Sequence, residues 1–244
     1  MFPGRAGLAP RDGVMGARHG GGRGDSGSAA VEFAIVLPVL LLLVMGMLEF
    51  SLVMRDWLGV SSSVRVGARV AATGAGSGPV ATCPTPPAGC RVGDPNLVVA
   101  TAIAIAQAGT AMPKNSIDEL WVYQANNAGY PTNTVPSIAN GWNNNADGAT
   151  TGAAAFVPAG CTNSCIRYVW NDAFGRFVYG GGNWDSHLIN ACINDPKGQS
   201  VGVYMKATHP LITRIFGANI GLQDHSVMKF EPLPPINCQQ DAHS

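Results

Sequence analysis

Two sets of residues in this chain can do chemistry that their neighbours cannot: one carboxylate inside an apolar run, and cysteines gathered in one part of the sequence. Glu32 lies within GSAAVEFAIVLPVLLLLVMGML, residues 27–48, where no other charge occurs before Glu49. A carboxylate at bilayer depth costs roughly 2.5–3.5 kcal/mol on insertion scales, so its presence calls for a partner of opposite charge. The six cysteines, Cys83, Cys90, Cys161, Cys165, Cys192 and Cys238, all follow that run. Their asymmetry fits a domain delivered to an oxidising compartment and closed by up to three disulfides. The short loops favour Cys83–Cys90 and Cys161–Cys165, which leaves Cys192 with Cys238. Zinc is the competing reading, but no CxxC occurs and no histidine stands within a few residues of these cysteines.

Catalytic chemistry finds no comparable footing. None of His19, His187, His209, His225 and His243 stands at metal-ligand spacing from another His or Glu, and neither GxSxG nor HExxH is present. Asp224 and His225 resemble half of a dyad, yet neighbours on a strand point to opposite faces. Asp172, Asp185 and His187 are too scattered to name a reaction. Asn143-x-Asn145-x-Asp147-Gly148 imitates the start of a calcium loop, but Ala154 stands where the twelfth-position acid is required. Gly180-Gly181-Gly182 lacks the strand, helix and lysine of a phosphate loop and reads as a turn. The expectation is a protein with no catalytic residues, no metal and no cofactor. Zero net charge with 12% charged residues also excludes a basic nucleic-acid footprint.

The elements that position Glu32 and the cysteines follow in chain order. Residues 1–27 are Gly- and Arg-rich without hydrophobic pattern, and read as a disordered leader. Its four arginines against two aspartates place that end in the cytoplasm. The triplet Arg23-Gly24-Asp25 looks like a cell-attachment motif, but on the cytoplasmic side the match is coincidence. Residues 28–54 are long enough to cross a bilayer as a helix of about 40 Å. An ordinary cleaved signal peptide would have a shorter core followed by a small-x-small site; an uncleaved signal anchor is the stronger alternative. Pro38 bends the segment, and Ala30 and Ala34 form a small-xxx-small pair suited to close helix approach. Residues 55–73 continue the helix as a stem. Trp57 marks the interface, and Val60, Val64, Ala68 and Ala71 make a narrow apolar stripe beside Arg65 and Arg69. Gly74 to Pro79 end it.

These residues carry a resemblance. Gly27-Ser28-Ala-Ala-Val-Glu32-Phe33, the apolar run, Glu49-Phe50 and Val66-Gly-Ala-Arg-Val-Ala-Ala72 resemble the TadE-like minor pseudopilins of tight-adherence (Tad) pili. The resemblance implies that a prepilin peptidase cuts between Gly27 and Ser28, leaving Glu32 as the fifth mature residue with the aromatic Phe33 after it. It also implies other pilin or pseudopilin subunits as partners, a single-pass inner-membrane location with the C-terminal domain outside the cytoplasm, and a role in adhesion or secretion. The new α-amino group of Ser28 is positive at neutral pH, and that of a neighbouring subunit is the natural partner for Glu32. The chain is longer than is typical of the family, with an insertion over residues 126–164.

Residues 74–93 read as a Pro/Gly-rich linker and residues 94–244 as an α+β domain. Asp94 is the expected N-cap, and Pro95 the first residue, of a buried helix reaching Ala111; it is too short for a second crossing. Strands are expected at 120–124, 166–170, 174–179, 200–208 and 223–230, with His209-Pro210 breaking the fourth and a short connection over 211–216. In the fourth, Val201, Val203, Met205 and Ala207 share a face. The pattern from Val201 to Pro232 resembles the C-terminal sheet of TadE-like proteins. Antiparallel pairing, with both helices on one face, gives a pilin-like architecture. Against an assembly subunit stand two other classes: a membrane-anchored extracellular binding module using Trp142 and Tyr130 in the insertion, and an anchored hydrolase built on Asp172, Asp185 and His187.

Overall fold

An apolar run that never alternates with period two has only one way to satisfy its backbone without water, and it forms a helix. In the computed structural model, α1 spans Asp25–Thr73 as one helix with Pro38 inside it. The described residues are 25–83, 89–108, 112–126, 129–131, 161, 163–193, 199–214 and 217–234. The leader before Asp25, the bulk of the insertion with its calcium-like loop and Trp142, Cys238, His19 and His243 lie outside them. The chain divides into two units, Met1–Gly46 and Met47–Ser244.

In the first unit, Val31, Phe33, Ile35, Val39 and Leu40 to Val44 are all exposed. Among the described residues, α1 is the one helix long and apolar enough to cross a membrane.

The second unit is α+β. After α1 comes α2 (Asn96–Gln107), then β1 (Ile117–Ala125), β2 (Cys165–Asn171), β3 (Arg176–Asn183), β4 (Ser200–Pro210) and β5 (Asn219–Lys229). The five strands form one antiparallel sheet in the order β3-β2-β1-β4-β5. Strand alternation divides the side chains between two faces. Leu120, Val122, Ile166, Tyr168, Val201, Val203, Met205 and Ala207 enter the main core, while Trp121, Tyr123, Cys165 and Tyr204 form a smaller cluster. The main core is closed by the stripe Val60, Val64, Ala68 and Ala71 of α1 and by Leu97, Val98, Ala102 and Ile105 of α2. Both helices therefore cover one face, as the pattern implies. Small residues let them approach: a Cβ on Gly67 would crowd the Ile105 and Thr101 side chains, and one on Gly74 would meet Leu97.

Three local expectations change. Asp94 does not cap α2; Pro95 occupies that position without a side-chain cap, and the Asp94 carboxylate instead accepts from the Trp184 backbone N–H at 3.3 Å. The chain closes there by strand-like pairing of Val80 with Asp94 and Gly93, which draws the aspartate inward. Gly180 to Gly182 are not a turn but the end of β3, where the pairing register slips between Arg167 and Tyr168. Gly181 and Gly182 have φ of 139° and 98°, and a Cβ on Gly182 would strike the Cys165 carbonyl, so the irregularity requires glycine. Finally, β4 does not break at His209; it pairs through Pro210 with Asn219. A terminal proline costs the ladder little.

The helix over Asn96–Gln107 is a core helix that buries Leu97, Val98, Thr101, Ala102 and Ile105, and it starts one residue after the expected Pro95. Cys83 pairs with Cys90 and Cys161 with Cys165, at Cα separations of 5.8 and 5.2 Å. Cys192 is also disulfide-bonded.

Candidate functional site

The carboxylates of α1 differ in what satisfies them. Glu32 is exposed, and among the described residues its side chain meets only the Ser28 hydroxyl, which donates to Oε1 at 3.4 Å. Ser28 and Glu32 are four apart and share one helix face, the geometry of an i,i+4 pair. At 100° per residue, Ala30 and Ala34 lie on the opposite side of the helix from Glu32. The small-residue pair and the charge therefore lie on different faces of α1. Phe33 is exposed beside them. The Gly27–Ser28 bond lies within α1, close to its first described residue, Asp25. A Cβ on Gly27 would meet nothing within 4 Å.

Glu49 and Asp56 belong to the second unit, and the domain itself satisfies them. Glu49 is only 6% exposed. Its Oε1 accepts from the Thr213 backbone N–H at 3.2 Å, and its Oε2 accepts from the Thr213 hydroxyl. Asp56 is 2% exposed and holds His209 Nδ1 at 2.7 Å through Oδ2, with Arg55 reaching Oδ1 at 3.2 Å. His209 Nε2 is buried without a partner. Val53 also packs against the core, so the domain begins on α1 at Glu49, within residues read from the sequence as the end of the span. Sequence reasoning passed over the Glu49–Thr213 and Asp56–His209 pairs, since more than 150 residues separate the partners in each. The available signal was their spacing: Glu49, Asp56 and Val60 fall on the same stripe as Val64 and Ala68.

The residues considered for catalysis serve local structure. Asp172 Oδ1 accepts from the Trp170 indole at 2.8 Å, and Asp185 Oδ1 accepts from the His187 backbone N–H at 2.9 Å at the start of a short 3₁₀ turn. Asp224 stands opposite Met205 and His225 opposite Tyr204, so the two do point to opposite faces. The His225 ring stacks on Tyr130 at 6.3 Å, and burial pushes its pKa down. Asp94 is buried with Oδ2 unpartnered; burial pushes its pKa up, against the lowering effects of the Trp184 N–H and Arg91. Among the described residues no three His, Cys, Asp or Glu side chains gather as a metal site.

No curated protein and no solved structure matches this chain. Residues 27–69, which hold Glu32, the apolar run and most of the stem, match the family model described as TadE-like protein.

Proposed function

We propose that this chain is a minor pseudopilin-like subunit that supports assembly of a Tad-type pilus, made as a precursor and cut between Gly27 and Ser28 by a prepilin peptidase. The observation that carries the reading is Glu32: an exposed carboxylate in an apolar helix, with no cation beside it among the described residues. A charge left so within its own chain is stable in lipid only when another chain supplies the counter-charge. The α-amino group of a processed neighbour meets that need, and mispaired registers would leave both charges unsatisfied. The leader is then cytoplasmic, the inner membrane holds α1, and the disulfide-closed domain stands outside. Ala30 and Ala34, on the far side of the helix from Glu32, provide a second contact for packing against another subunit.

Mass spectrometry of the chain recovered from membranes tests the processing step. A mature start at Ser28 is expected; an intact Met1, or a start beyond Met54, overturns it. Gly27→Leu should block maturation, and Glu32→Ala should leave a processed subunit that fails to join filaments. Normal filaments from both variants would leave the chain as a membrane-anchored binding module instead.

A further inference from the structure

Just after β4, Thr213 is held against Glu49 of α1. Leu211 is buried, Thr213 donates twice to Glu49, and between them Ile212 points outward, 66% exposed. Arg214 follows, exposed and in the left-handed region at φ 55°. Glu49 is the first charge after the apolar run. Residues 28–48 as a helix measure about 31 Å, the thickness of a hydrocarbon core. Glu49, and with it Thr213, therefore stands where the helix leaves lipid. At the same level Met47, Leu48, Phe50 and Met54 are exposed apolar residues of α1, and Trp57 lies one turn beyond.

We propose that residues 212–214, just after β4, are a second membrane contact, seated in the headgroup layer of the bilayer that α1 crosses, with Ile212 at the acyl boundary and Arg214 against an anionic lipid phosphate. The proposal rests on reading residues 28–48 as the span. The occupant is lipid because Thr213 binds Glu49, whose chain neighbours Leu48 and Phe50 are exposed apolar residues at the end of the proposed span. Both oxygens of Glu49 are engaged by Thr213, so this carboxylate can lie at the membrane edge without a foreign cation. Seated in this way, the domain cannot swing about the stem, and departure of the subunit from the membrane has to break the contact.

The full chain, reconstituted in phosphatidylcholine vesicles with and without phosphatidylglycerol, is labelled with an environment-sensitive fluorophore at Ile212→Cys. The comparison labels are at Val92→Cys, 58% exposed on the loop beside the far end of the stem, and at Leu41→Cys in the span. Nitroxide-bearing lipids should quench the Ile212 label several-fold more than the Val92 label. Arg214→Asn keeps a residue tolerant of positive φ, and should lower the ratio of seated to unseated protein about five-fold in anionic vesicles, the weight of one basic residue at such a surface. It should change nothing without phosphatidylglycerol. Equal quenching at Ile212 and Val92, with Leu41 strongly quenched, overturns the contact and spares the span. An unquenched Leu41 label overturns both.

Discussion

Along α1, residues 27–48 present apolar side chains on nearly every face, whereas from Glu49 onward one face is covered by the sheet and α2. The outward side changes over the same stretch, from Phe50, Met54, Trp57 and Leu58 to Ser62, Arg65 and Arg69. Carboxylates occur in both parts. Those on the covered face, Glu49 and Asp56, have protein donors; Glu32 has a serine of its own helix. One continuous helix thus meets two environments, and the state of its acids shows where each begins. Under the proposed function, the part that holds Glu32 is completed by another subunit, whereas Glu49 and Asp56 find their partners within the chain.

The contrast breaks most sharply at the acids themselves. Glu32→Gln should abolish incorporation into filaments while leaving the thermal unfolding of the domain within about 0.5 kcal/mol, as for a surface position. A domain that melts early in this variant would mean that Glu32 supports the fold. Asp56→Ala should do the reverse. It leaves His209 Nδ1 buried without its partner, a loss of about 1–3 kcal/mol of stability measured by denaturant unfolding of the full chain in detergent. Less than about 1 kcal/mol would show the pair to be solvated.

Glycine substitutions sharpen the comparison at a smaller scale. Gly67→Ala gains about 1 kcal/mol of helix propensity but drives a Cβ into the Ile105 side chain, an overpacking cost of about 1–3 kcal/mol, so a net loss is expected. Gly46→Ala meets nothing within 4 Å, so no overpacking cost offsets its helix-propensity gain and the unfolding midpoint should not fall. Equal effects at both sites would contradict the close α1–α2 approach.

The smallest effect concerns pH. Burial raises the Asp94 pKa above its unfolded value, so the folded state holds this proton more tightly. Its contribution is fully present below the unfolded pKa and is lost as pH rises through the folded one. Asp94→Asn should flatten that part of the stability–pH curve, in a titration followed by thermal unfolding. An unchanged slope would place the titrating group elsewhere.

Much of this was legible because it rests on local rules. The apolar run, the stripe from Val60 to Ala71, the alternation of Val201, Val203, Met205 and Ala207, and the two short disulfide loops each depend on spacing within a few residues. The misreadings share another cause. Asp94 before Pro95 has the composition of a cap, yet pairing with Val80 turns its carboxylate toward Trp184. Gly180 to Gly182 have the composition of a turn, yet β2 recruits them as a slipped strand end. In both cases a contact from a distant part of the chain outweighed a local preference worth about 1 kcal/mol or less.

The sequence by itself determined that one helix is apolar enough to span a bilayer, that Glu32 stands alone within it, and that an α+β domain with paired cysteines follows. Those properties are carried by residue type and short-range periodicity. Only the tertiary structure decided where the domain takes hold of that helix. Glu49 and Asp56 look no different from Glu32 until Thr213 and His209, more than 150 residues away, are folded against them. Which charges a chain can satisfy for itself depends on distances in space, and sequence separation does not encode them.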